Sequence, residues 1–118
     1  MNKKALFILR HSPYGTSLAR EAAEAVLAAG SFEQSVSVLF MDDGVLQLID
    51  QQSPGQGTKN HAAMLKALPM YEVEDLYVDE TSLEHRNMKN EQIIAGIKPI
   101  NVSGIQKLMA DHDHIVSF

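Results

Sequence analysis

The spacing of apolar residues along this chain switches repeatedly between short unbroken runs and a three-and-four period, and each switch marks an element. Residues 5–9 (ALFIL) form a continuous apolar run after two lysines. It is too short for a helix that must bury itself, which predicts a strand covered on both faces. After the loop HSPYGT, Leu18, Ala22, Ala25, Val26 and Ala29 recur at helical spacing, with Arg20, Glu21 and Glu24 outside and Gly30 as the stop. Thr16 or Ser17 is the expected cap. A second apolar strand over 36–41 follows at the distance of a strand, helix, strand crossover, so the two strands are predicted to be parallel in one sheet.

Further on, Asp42-Asp43-Gly44 leads into VLQLI, apolar at four of five positions, and then into DQQSPGQG, the loosest stretch in the chain. Residues 59–68 predict a helix with Ala62, Met64, Leu65 and Leu68 on one side, ended by Pro69. Residues 74–79 read as a third strand. Thr81-Ser82-Leu83-Glu84 has capping-box spacing and predicts a helical turn through Arg86. The run 97–102 holds Pro99, which cannot donate to a ladder and suits an edge strand. Ser103-Gly104-Ile105-Gln106 is a second capping box, opening a helix with Val102, Ile105, Leu108 and Met109 on one face. The chain closes with HDHIVSF. The expected fold class is α/β: one domain over residues 1–118, with a mainly parallel sheet of four to five strands flanked by helices.

Composition narrows the chemistry. The 118 residues include no cysteine, which removes disulfides, thiolate metal sites, thiol nucleophiles and persulfide carriers. Ten basic residues against fifteen acidic ones give a net charge of -5, which argues against direct contact with nucleic acid. No apolar run approaches the roughly 20 residues that span a bilayer, and the first residues lack a signal-peptide core, so the expected compartment is the cytoplasm.

Several polar clusters could carry chemistry. His11, Ser12 and Tyr14 follow the first strand, where a small ligand or phosphate could sit before a helix. The loop lacks both Rossmann and P-loop glycine patterns, so a packed turn or subunit contact is the competing reading. Asp42 and Asp43 could hold magnesium, although the preferred role is to cap the helix starting near Gly44. His112, Asp113 and His114 form an H-x-H that could reach one cation if it lay on a strand; a polar turn is preferred. His61 and His85 are expected on the surface. Neither a metal nor a cofactor is expected. Val45, Leu46, Leu48 and Ile49 offer more apolar surface than one sheet can cover. They fill the domain's own core or lie in the middle of an interface.

Four segments, HSPYGTSLAREAAEAVLA, FMDDGVLQLI, LYVDETSLEHR and HDHIVSF, in this order and spacing, resemble the TusC/DsrF group of the DsrE-like sulfur-relay proteins, and TusC most closely. The resemblance implies a heterohexamer of three related α/β subunits, with TusB-like and TusD-like partners. In it the TusD-like or DsrE subunit bears the cysteine that carries persulfide sulfur, and a TusE-like acceptor follows further along. A chain without cysteine would then be a non-catalytic member that positions the carrier. The Tus branch implies 2-thiouridine formation at the tRNA wobble base, and the Dsr branch implies oxidation of stored sulfur. Where the SLxxR segment leads one to expect a glycine, this chain has Asn87, which tolerates the same left-handed backbone. From another class, the rival is a small-molecule-binding α/β domain using His11, Tyr14 and the Asp42-Asp43 rim.

Overall fold

The computed structural model describes residues 4–13, 17–30, 35–49, 61–73, 75–89 and 93–118. The expected cap Thr16, the loop residue Tyr14, all of DQQSPGQG and the side chain of Ala62 lie outside these residues. The elements are β1 (Lys4–Leu9), α1 (Leu18–Gly30), β2 (Ser35–Phe40), a 3-10 turn (Asp42–Leu48), α2 (His61–Lys66), a second 3-10 turn (Leu68–Tyr71), β3 (Asp75–Asp79), α3 (Glu80–His85), β4 (Lys98–Ile100), α4 (Val102–Ala110) and β5 (His114–Ser117).

The five strands form one sheet in the order β4-β3-β2-β1-β5, and every pairing is parallel. Side chains alternate across a strand, so β1 supplies both layers of the core. Ala5, Phe7 and Leu9 join Val36, Val38 and Phe40 beneath Ala22, Ala23 and Val26 of α1. Leu6, Ile8 and Leu39 meet the half-buried Ile105, Leu108 and Met109 of α4. This double coverage is the reason residues 5–9 carry no polar position. The predicted stripe on α1 shifts slightly, because Ala23 is buried while Leu18 is 39% exposed. Gly30 ends α1 where a Cβ would stand 2.7 Å from the Tyr71 carbonyl oxygen, so the small residue lets the second 3-10 turn close against the helix.

Both capping boxes are displaced. Asp79, not Thr81, caps α3: its carboxylate accepts from the Thr81 N–H at 3.2 Å and from the Ser82 hydroxyl at 2.6 Å. Asn101, not Ser103, caps α4 by accepting from the Gly104 N–H at 2.9 Å. In each case a carboxylate or amide just upstream reaches the free amides first, and the predicted cap falls inside the first turn. Pro99 lies in the outer strand β4, where its missing N–H leaves no ladder gap. Asn87 has φ 52°, the left-handed backbone inferred for it from the sequence. The other edge is β5, whose Ile115 and Val116 are 47% and 38% exposed; past it, the Phe118 ring stacks on Phe7 at 6.2 Å.

Candidate functional site

Asp42 and Asp43 meet Arg10, Ser82 and Arg86 beyond the carboxyl ends of β1, β2 and β3, the end at which parallel α/β sheets bind their ligands. Asp42 takes a left-handed backbone, φ 53°, and its N–H donates to the Ser82 hydroxyl at 2.9 Å. Its carboxylate accepts from Arg10 Nε at 2.8 Å. Asp43 points the other way and accepts from Arg86 Nη2 at 2.9 Å, while Arg86 Nη1 donates to the Ser82 carbonyl oxygen at 3.1 Å. The capping role expected of these aspartates is therefore overturned: the 3-10 turn begins at Met41 with no side-chain cap. The two carboxylates instead tie the exits of β1 and α3 to the exit of β2.

Gly44 explains why the motif ends in glycine. A Cβ there would stand 1.9 Å from the Leu9 carbonyl oxygen, so only a residue without a side chain lets the 3-10 turn lie against the end of β1. The Arg10–Asp42 pair is about half exposed on each side, 54% and 46%, and contributes at most about 1 kcal/mol to stability. Its consequence is geometric: the rim carries paired, mutually oriented charges. Beneath it, Asp79 and Ser82 are both buried and satisfy one another.

Of the first-loop candidates, His11 is exposed and Ser12 half-buried. The His11 carbonyl oxygen accepts from Gln47 Nε2 at 2.7 Å. Gln47 is fully buried, and its Oε1 lies 2.7 Å from His61 Nε2. His61 is thus a half-buried member of a polar chain rather than the surface residue expected, and burial lowers its pKa from 6.5. His85 is exposed, as anticipated. Gln47 was missed in the sequence because it sits inside an apolar run, and only its polarity within that run could have flagged it.

The H-x-H does not converge on a cation. His112 precedes β5 rather than lying in it, and both of its ring nitrogens are engaged: Nδ1 with the Leu108 carbonyl oxygen at 2.6 Å, Nε2 with the Ser37 hydroxyl at 2.9 Å. Asp113 accepts from the Lys4 N–H at 2.9 Å, and His114 is exposed on the edge strand. Among the described residues no group of three or more His, Asp or Glu is placed to hold a metal ion.

The run of 45–49 divides. Val45 and Leu48 are fully buried in the chain's own core, while Leu46 and Ile49 stay partly exposed. Much of the cover comes from a distant segment. Ile49 bridges to Ile93, the Ile94 N–H donates to the Leu48 carbonyl oxygen at 2.9 Å, and both isoleucines enter the core. What remains open to a partner on this run is Leu46 and Ile49.

These elements define an α/β protein with a wholly parallel five-stranded sheet whose strand-end polar groups bond to one another. The description of the DsrE/DsrF-like family matches residues 3–118, and the chain belongs to that family. It is 36% identical to a TusC homolog from Pseudomonas aeruginosa, with 99% of each chain covered. It is also 36% identical to the intracellular sulfur oxidation protein DsrF of Allochromatium vinosum, over 98% of this chain and 96% of that one. A TusC homolog from Aliivibrio fischeri is 28% identical, with 95% and 96% covered. The fold matches the crystal structure of the ychN protein from E. coli with a TM-score of 0.84 at 21% identity, covering all of both chains. A protein of unknown function from Methanobacterium thermoautotrophicum gives 0.74 at 13% identity, with 99% of this chain and 100% of that one covered.

Proposed function

We propose that this chain is a non-catalytic subunit of a cytoplasmic sulfur-relay complex of the TusBCD kind, in which it holds the sulfur-bearing subunit in place and so supports 2-thiouridine formation at the tRNA wobble position. The observation behind this reading is full-length similarity to a TusC homolog in a chain that has no cysteine to carry persulfide. Its partners are TusB-like and TusD-like subunits in a heterohexamer, with a TusE-like acceptor met only indirectly. With a net charge of -5 it does not touch the tRNA itself. Leu46 and Ile49, the exposed part of the 45–49 run, are the residues proposed to meet a partner.

The test is deletion of the gene followed by measurement of wobble 2-thiouridine in bulk tRNA. Loss of the modification, restored by the wild-type chain, is the expected result; unchanged thiolation in the deletion strain would refute the tRNA role. A second reading, a DsrF-like subunit in the oxidation of stored sulfur, draws on the equal identity to DsrF. In that case the deletion leaves tRNA unchanged and sulfur accumulates.

A further inference from the structure

Gln47 is the one fully buried amide side chain among the described residues, and it joins two segments that no strand ladder connects. A buried amide left without partners costs roughly 1–3 kcal/mol, so its contacts constrain whatever they touch. On one side Nε2 donates to the His11 carbonyl oxygen at 2.7 Å; on the other Oε1 stands 2.7 Å from His61 Nε2. A carbonyl oxygen only accepts, so the His11 contact fixes which end of the amide faces it. The amide oxygen then faces the imidazole, and because it too only accepts, His61 must carry its proton on Nε2. The two contacts are correlated: turning the amide over would set its oxygen against the His11 carbonyl and lose that bond, and would keep the His61 contact only with the imidazole proton moved to Nδ1.

We propose that Gln47 is a positioning residue whose buried amide couples the loop leaving β1 at His11 to the first turn of α2 at His61, so that these two walls of the carboxyl rim order and loosen together. The loop and the helix lie 36 and 14 residues from Gln47 in sequence and bond to opposite ends of one side chain. A disturbance at the imidazole therefore reaches the His11 backbone without direct contact between the two. The coupling is independent of the sulfur-relay reading.

The test is NMR on the full chain labelled with 13C and 15N. Ring 15N shifts of His61 should report the Nε2–H form in the neutral state. In His61→Leu, which removes the donor to Gln47, the His11 carbonyl 13C signal should move toward the value of a non-bonded carbonyl, with several-fold faster amide exchange at Ser12. His61→Gln, which restores a donor of similar reach, should return both signals toward wild type, while the signals of Leu9 and Val38 certify the core in each variant. Gln47→Glu keeps the acceptor for His61 and loses the donor to His11; it should shift the His11 carbonyl and leave the His61 ring in its Nε2–H form. A His11 carbonyl that is identical in His61→Leu and wild type, or a neutral His61 protonated on Nδ1, would overturn the coupling.

Discussion

Gly44→Ala adds one methyl group and asks it to occupy space 1.9 Å from a backbone carbonyl oxygen that belongs to β1, an interior strand of the sheet. Neither partner is a flexible side-chain tip, so the expected cost is about 3 kcal/mol, or roughly 10 °C in Tm, read by thermal denaturation. An alanine variant melting within 2 °C of the wild type, about what half a kcal/mol produces, would mean the turn does not lie against β1 as described. His61 supplies a second check. Burial lowers its folded-state pKa below 6.5, so below that pH the unfolded chain binds the proton more readily and stability declines as pH falls. The contribution is complete above about pH 6.5. His61→Gln should flatten the lower arm of the stability profile, measured by urea denaturation between roughly pH 5 and 7. That Asp42-Asp43-Gly44 marks a turn was legible from composition. That its carboxylates face Arg10 and Arg86 was not, because those partners lie 32 and 43 residues away in sequence. Local spacing carries no information about such pairs.

Among the elements, caps and burial separate what local pattern predicts from what tertiary contact decides. Asn101→Ala should cost about 1 kcal/mol by removing the acceptor for the Gly104 N–H, whereas Ser103→Ala should lie within about 0.5 kcal/mol of wild type. Chemical denaturation distinguishes the two, and the reverse order would restore the serine as cap. The three-and-four period placed α1 and α4 within a residue or so, and unbroken apolar runs marked β1 and β2, because these signals depend only on which face meets the sheet. The capping boxes misled because Asp79 and Asn101 stand two residues ahead of the predicted Thr81 and Ser103, and the spacing rule cannot rank competing acceptors. The 45–49 run was undecidable for a different reason: its cover, Ile93 and Ile94, arrives more than forty residues later. Leu48→Asp should therefore unfold the isolated chain, since an unpaired charge in the core costs several kcal/mol, while Leu46→Asp should leave a folded chain. Circular dichroism of the two purified variants reads the difference.

Across the molecule, the parallel sheet followed from strands alternating with helical patterns, and the observed order adds the last strand beside the first. That placement leaves β5 as an edge with partly exposed Ile115 and Val116, and α4, which buries no residue, as the cover seen over Leu6, Ile8 and Leu39. Which subunit meets which surface is a property of the assembly and has no signature in the periodicity of one chain. In the proposed relay this chain, which has no thiol, holds other chains in place, so assembly is the most direct test of the account. Co-expression with TusB-like and TusD-like chains, followed by native mass spectrometry of the complex purified through a tag on the TusD-like chain, should give a species containing two copies of each of the three. A complex of the other two that forms without this chain, leaving it behind as a free monomer, would contradict the account.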